Sequence, residues 1–417
     1  MDAMSSTEQS APRVIHTRCC IVGGGPAGMM LGYLLGRAGI ETLVLEKHAD
    51  FFRDFRGDTV HPSTLQVMDE LGLIDDFLKL PHQELQKMEG KFGETMIRLA
   101  DLSRLNVKYP FVAFMPQWDF LNFLREKGQR FPSLNVMMNT EAADLIRSGD
   151  SVVGVVAATS AGRLEIRSDL TIGCDGRHST VRQCAGLEVE EVGAPMDVLW
   201  FRAGRQANEN ERLFARIQAG KMLVTFDRGD YWQCAYVIPK GQNDAVKARG
   251  LEAFRDDVIG MAPILASGIS DLKSWDDVKL LTVAINRLKR WTRAGVLCIG
   301  DAAHAMSPVG GVGVNLAIQD AVAAANLLAA KLAKDCPTED ELDAVRRRRE
   351  FPVRMTQAMQ VVVQNNIISL AIKGGDQPLR VPMLVRLVSA IPWLQRIAAR
   401  FIAVGVRPEH VRSPAQG

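Results

Sequence analysis

Apolar residues fall into two rhythms along the chain, and the rhythms predict its elements. Residues 14–22 become continuously apolar towards their end and run into a cluster of glycines, which reads as a buried strand entering a tight turn. Residues 27–38 carry apolar side chains on every turn, as a helix does, and residues 41–46 return to a strand. The chain therefore opens as a strand–helix–strand unit whose helix crosses between parallel strands. Helices are predicted near residues 62–71 and 118–128, and strands at 151–158 and 162–172, joined by a turn containing Ser160 and Gly162.

After about residue 188 the pattern changes. Residues 198–203, 221–226 and 231–238 read as successive antiparallel strands with turns such as 227–230, residues 243–265 as helical and 278–285 as a further strand. This stretch looks like a sheet-based module inserted into a nucleotide-binding fold. Residues 295–299 then give one more buried strand, followed by a long helix from about 314 to 333. The remainder is helical. Thr338 and Glu341 fit a capping box, in which the two side chains satisfy exposed backbone donors at a helix start. Leu384, Leu387, Val388 and Ile391 share one helical face, as do Leu394, Ile397, Ala398 and Phe401. Packing against the body is the plainer reading of those faces. With Arg386, Arg396 and Arg400 among them, peripheral membrane contact is the alternative. Residues 346–349, all arginine, read as a solvated helix face beside the preceding acids.

Composition narrows the classes. The 417 residues are 47% hydrophobic and 24% charged, as in an ordinary globular protein of two or three domains. A net charge of +2 argues against a dedicated nucleic-acid binder. Seven cysteines show no metal-ligand spacing and read as reduced thiols of a cytoplasmic protein, with no metal site. Residues 1–13 are polar, lack the apolar centre of a secretory signal, and read as a disordered tail. No uncharged apolar run of about 18 residues predicts a transmembrane span.

Chemistry enters at three turns. Gly23, Gly25 and Gly28, with Pro26 and Ala27 between, form G-x-G-x-x-G between a strand and a helix. Gly23 permits the turn, Gly25 lets backbone approach a pyrophosphate, and Gly28 allows close helix–strand packing. The helix N-terminus presents N–H groups to phosphate oxygens. Glu46 ends the second strand, where a carboxylate accepts from ribose hydroxyls and repels a 2′-phosphate. The second turn follows another strand: Gly300 and Asp301 stand at its carboxyl end, where a carboxylate can accept from the ribityl chain that only a flavin has. The third, from Cys174 through Asp175 and Gly176 to Arg182, is again a strand end followed by a turn and a helix.

These three segments, in this order, resemble the p-hydroxybenzoate hydroxylase family of aromatic-ring flavoprotein monooxygenases (group A) over residues 14–335. The resemblance implies an α/β fold: a Rossmann-like FAD-binding domain of glutathione-reductase type, an inserted antiparallel-sheet substrate domain and C-terminal helices. The FAD-binding domain would comprise residues 14–85, 111–188 and 286–335, the substrate domain 86–110 and 189–285, and the helical region 336–417. It implies FAD as cofactor, with Glu46 at the adenosine ribose and Lys47 beside it. Arg56 would contact the flavin or its phosphates, and Gln117 would lie near the ribityl chain. Asp175 and Gly176 would serve the flavin and the nicotinamide donor, and Asp301, after Gly300, the ribityl. A loop through Pro308, Gly310, Gly311 and Gly313 would lie beside the isoalloxazine, with backbone N–H groups of Val314 and Asn315 at its pyrimidine edge. The helix starting there would stabilise the anionic reduced ring. Val312 stands where many relatives carry Gln.

The implied reaction is hydroxylation or epoxidation of an apolar aromatic, quinone or polyketide-like small molecule with O2 and NADH or NADPH, through a flavin C4a-hydroperoxide. The alternative on this fold is an FAD-dependent reductase or dehydrogenase, such as one acting on isoprenoid double bonds. Candidate substrate-wall residues are Met222, Phe226, Trp232 and Tyr236, although core packing is the commoner role for any one of them. His61, before Pro62, reads as a helix-start residue rather than a base. A monomer and a homodimer are both compatible with the sequence.

Overall fold

The computed structural model describes residues 13–52, 59–206, 215–218, 220–369 and 381–416. Arg56 and its neighbours lie outside the described residues, as does most of the N-terminal tail. Arg13 itself opens the first strand, paired with Leu164, rather than belonging to the tail.

Five parallel strands form the centre of an eight-stranded sheet, in the order Val296–Cys298, Gly162–Gly173, Arg13–Val22, Thr42–Leu45, Leu134–Met137. Both faces are covered, so the strands read as unbroken apolar runs: Cys19, Cys20, Ile21 and Val44 are fully buried. Strands Glu141–Ser148 and Ser151–Thr159 extend the sheet antiparallel from Gly162–Gly173. Helix Pro26–Arg37 packs against helix Gly313–Leu332. By length and hydropathy, Val309–Leu332 would pass for a membrane span, but it is mostly buried inside the molecule and serves as a core helix.

A second, seven-stranded sheet runs Lys279–Leu281, Met196–Gly204, Tyr231–Pro239, Lys221–Asp227, Ala215–Gln218, Lys87–Phe92, Thr95–Asp101. It is antiparallel except where Ala215–Gln218 pairs with Lys87–Phe92. One face buries Leu199, Phe201, Trp232 and Tyr236 against Phe254 of helix Leu251–Met261. The helical region expected over 243–265 is interrupted by Gly250 at φ +89°, which separates Asn243–Ala248 from Leu251–Met261. The strand expected over 278–285 keeps only Lys279–Leu281. The backbone leaves the sheet there because Val283 N–H donates to the buried Asp197 carboxylate (2.9 Å).

Helix Glu339–Val363 starts with the expected capping box: Glu341 accepts from Thr338 N at 2.9 Å. Its arginines divide. Arg346 pairs with Asp343 and Glu350, and Arg347 with Asp340. Arg348 and Arg349 instead reach Glu409, and Arg349 is buried, so the expectation of a uniformly solvated face fails at that position. Helices Met383–Ala390 and Pro392–Ala403 pack through Val385, Ala399 and Ala403. That inner stripe is not the leucine–isoleucine face expected from spacing; Leu387 and Ile397 point outward.

Candidate functional site

Strand register decides where the three turns meet. Val22 stands opposite both Gly173 and Leu45, Gly173 opposite Cys298, and Leu45 opposite Met137. The residues that follow, Gly23–Gly28, Cys174–Gly176, Glu46–Lys47 and Gly300–Asp301, therefore emerge side by side at the carboxyl edge of the sheet, where ligands bind in folds of this kind.

Sterics fix the first turn. Gly23 has φ +104°, and a Cβ on it would lie 2.5 Å from Cys174 O. A Cβ on Gly28 would lie 1.9 Å from Gly23 O. A Cβ on Gly25 would meet nothing within 4 Å, because that residue borders open space at the start of helix Pro26–Arg37. No side chain caps that helix. Glu46 is buried and accepts from Gly24 N and His48 N, each at 3.0 Å. Lys47 turns away to Glu141, 3.8 Å distant and exposed. Gln117 begins helix Gln117–Gly128, just after the strand Val112–Phe114 that pairs with Thr59–Val60.

Asp175 accepts from Val181 N through Oδ2 (3.1 Å), while its Oδ1 is buried without a hydrogen-bond partner among the described residues. Burial pushes this carboxyl above its ordinary range, and contacts from Ser179 and Val181 only partly offset that. Arg177 Nη2 approaches Asp301 Oδ2 at 3.9 Å, joining two of the motifs.

Behind Gly300 lies a cluster that the spacing arguments missed. Asp320, on helix Gly313–Leu332, accepts from Gly300 N (3.1 Å), His304 Nε2 (2.5 Å) and Arg349 Nε (2.9 Å), all excluded from solvent. A stripe of glutamines on helix Glu339–Val363 and its extension fixes the next segment. Gln357 Nε2 donates to Asn286 O and Ala305 O, Gln360 Nε2 to Ser307 O and Val309 O, and Gln364 to Ser307 Oγ. Their spacing of three and four residues was the available signal; amides at helical period on a buried face are unusual.

The loop from Pro308 to Gly313 is shaped by positive φ at Gly310 (+79°) and Gly311 (+63°). Thr59 Oγ1 donates to Gly311 O at 2.7 Å. Val314 is half-buried at the start of the helix. Asn315 ties the loop with its side chain: Oδ1 accepts from His61 N (2.9 Å) and Thr64 Oγ1 (2.7 Å), and Nδ2 donates to Thr59 O (3.2 Å). His61 is buried, and its Nδ1 lies 2.8 Å from Ile402 O of the last helix.

Alternation along the second sheet sorts the four candidate wall residues. Met222 and Phe226 lie on the face directed towards the loop, together with Trp200 and Val224. Trp232 and Tyr236 lie on the opposite face, packed beneath Phe254. They serve as core, because even positions of strand Tyr231–Pro239 face the helix and odd positions do not. Trp200, Met222, Val224, Phe226 and Val309 are apolar and face inward, yet each is only half-buried. Together they form an incompletely packed apolar face beside the loop. Phe226 stacks on Trp200 (6.0 Å between centroids, 20° between planes) and meets Phe114 at 5.2 Å.

Comparison with known proteins agrees with this geometry. Residues 16–359 match the family described as an FAD binding domain. The chain is 33% identical over 402 residues to the 6-methylpretetramide 4-monooxygenase of Streptomyces rimosus, covering 95% of this chain and 94% of that one. It is 26% identical over 339 residues to a para-nitrophenol 4-monooxygenase of Pseudomonas, covering 79% and 82%. The crystal structure of p-nitrophenol 4-monooxygenase from Pseudomonas putida superposes with a TM-score of 0.75 at 20% identity, over 95% of this chain and all (100%) of that one. The anhydrotetracycline hydroxylase of Streptomyces rimosus gives 0.71 at 24%, over 95% and 77%; at these identities the structures speak to the fold. The chain belongs to the family of FAD-dependent aromatic-compound monooxygenases. Its own residues fit the cofactor: open space at Gly25, a helix start without a side-chain cap, and the buried Oδ1 of Asp175, which has no partner among the described residues.

Proposed function

We propose that this protein uses NADH or NADPH and O2 to hydroxylate a planar, fused-ring aromatic compound of polyketide type. The observation that carries the reading is the half-buried apolar face of Trp200, Met222, Val224 and Phe226 beside Val309 of the loop, which we take as the wall of a substrate chamber. Stacked rings and flat aliphatic walls suit a broad aromatic skeleton, and the relative at 33% identity is named for its action on 6-methylpretetramide.

In this reading Gly25 and the first turn of helix Pro26–Arg37 receive the pyrophosphate, and Glu46 the adenosine ribose. Asp301 would accept from the ribityl chain, and the loop from Pro308 to Gly313 would border the isoalloxazine. When bound, FAD supplies hydride acceptance and the activation of O2. The chain orients and shields. The N-terminus of helix Gly313–Leu332 directs partial positive charge at the site, Asn315 and the glutamine stripe hold the loop still, and the apolar walls exclude water.

Turnover of purified holoprotein under labelled O2, against a panel from single-ring phenols to tetracyclic naphthacene-type phenols, tests the reading. One labelled oxygen per product, with nicotinamide oxidation stimulated most by the polycyclic members, is expected. Turnover with no label in the product would overturn it in favour of an FAD-dependent reductase.

A further inference from the structure

Among the described residues, the C-terminal helices present an apolar stripe to solvent. In Met383–Ala390 the outward positions include Met383 (84% exposed) and Leu387 (44%), and in Pro392–Ala403 they include Trp393 (62%) and Ile397 (56%). Arg386, Arg396 and Arg400 are exposed on the same sides, at the same three- and four-residue spacings. From Val381 to Pro408 the chain carries four arginines, counting Arg407, and no acidic residue. The outer face of a helix on a water-soluble body is normally polar. Beside this stripe, between the first of these helices and strand Thr95–Asp101, lies a cavity of about 470 Å³ lined by Met96, Ile97, Val381, Arg386 and Ala390.

We propose that this face is a docking surface for an anionic membrane. Trp393, amphipathic and prominent, suits the headgroup level. Met383, Leu387 and Ile397 would enter the acyl boundary, and the arginines would meet lipid phosphates. Charge argues against a second copy of this chain as the occupant. A two-fold interface would bring Arg386, Arg396 and Arg400 against their own equivalents with no carboxylate between them. The inner face of Pro392–Ala403 shares its cluster with Phe114 and Phe226. A lipid-dissolved substrate would thus be delivered close to the chamber, a consequence that rests on the proposed function, whereas the docking itself does not.

Cosedimentation of full-length, FAD-loaded protein with vesicles tests the proposal. Pelleting is expected with phosphatidylcholine vesicles containing phosphatidylglycerol, weakly with phosphatidylcholine alone, and less at raised salt. Two double variants, Trp393→Ser with Ile397→Ser and Arg396→Gln with Arg400→Gln, should each weaken vesicle binding about tenfold or more, with flavin absorbance and far-ultraviolet circular dichroism unchanged. Absence of pelleting with anionic vesicles, equal pelleting with neutral ones, or variants that bind like the parent would overturn the proposal. So would a dimer of the free protein that the same substitutions dissolve, since that outcome assigns the face to a second copy. None of these readouts depends on turnover.

Discussion

Arg349 Nε lies 2.9 Å from Asp320 Oδ1 with both side chains excluded from solvent, and Asp320 in turn holds Gly300 N and His304. Two helices are thereby fastened to the turn that presents Asp301. Arg349→Met strands a buried carboxylate, and a cost of about 3–5 kcal/mol in chemical denaturation is expected. Replacing both residues by Met should cost less than the sum of the single changes. Burial alone would push the Asp320 carboxyl up, but His304 and Arg349 outweigh it and hold it below its ordinary value. The carboxyl's contribution is therefore complete at neutral pH. It is lost only as pH falls from about 4, the ordinary carboxylate value, through the lowered folded one. Equal denaturation midpoints for parent and Arg349→Met at pH 7 would contradict this.

Gly25 and Gly28, three positions apart in the chain, should separate binding from folding. Gly25 has ordinary extended backbone angles and open space where a Cβ would go. Gly25→Val should leave the stability of the flavin-free protein within about 1 kcal/mol yet weaken FAD at least about tenfold, by occupying the pyrophosphate's place. Gly28→Val has no such room, with a Cβ 1.9 Å from Gly23 O, and should yield little folded protein. Flavin titration of the two variants checks this; undiminished FAD affinity in Gly25→Val would refute the assignment of that space.

What the sequence disclosed follows from how local each constraint is. The turn at Gly23–Gly28 was legible because the positive φ of Gly23 and the contact of Gly28 with Gly23 O are local, and the adjoining strand and helix are strongly patterned; the approach of Cys174 to Gly23 was not legible. Thr338 and Glu341 were legible for the same reason. Arg349 was not, since its neighbours Arg346 to Arg348 look identical in sequence and only the approach of Asp320, 29 positions away, withdraws it from solvent. The four wall candidates were not sorted by sequence. Alternation was visible in both strands, but which parity faces the loop depends on which face helix Leu251–Met261 covers, and no local signal carries that.

That parity makes its own prediction. Phe226→Ala opens the chamber and should raise KM for the aromatic substrate about tenfold with little loss of stability, because Phe226 is only half-buried. Tyr236→Phe, on the covered face, should leave KM unchanged. Steady-state kinetics on both variants decides; a KM effect confined to Tyr236→Phe would place the substrate on the wrong side of the sheet.

His61 gives the fold a pH dependence of its own. Burial drives its imidazole down to about 4, and the hydrogen bond with Ile402 O only partly opposes that. The unfolded chain takes up this proton near the ordinary value of about 6.5. Between those two values the unfolded state binds a proton that the folded state refuses, so stability falls as pH drops from 6.5 towards 4. The gap corresponds to roughly 3 kcal/mol at its full extent. Its hydrogen-bonding neighbours, Asn315 and Ile402 O, do not titrate and cannot mask the effect. His61→Gln keeps an amide donor for Ile402 O but has no titratable ring. Its unfolding free energy should therefore vary less between pH 7 and pH 5 than that of the parent, measured in urea at both. Parallel losses in the two proteins would show that the acid sensitivity originates elsewhere.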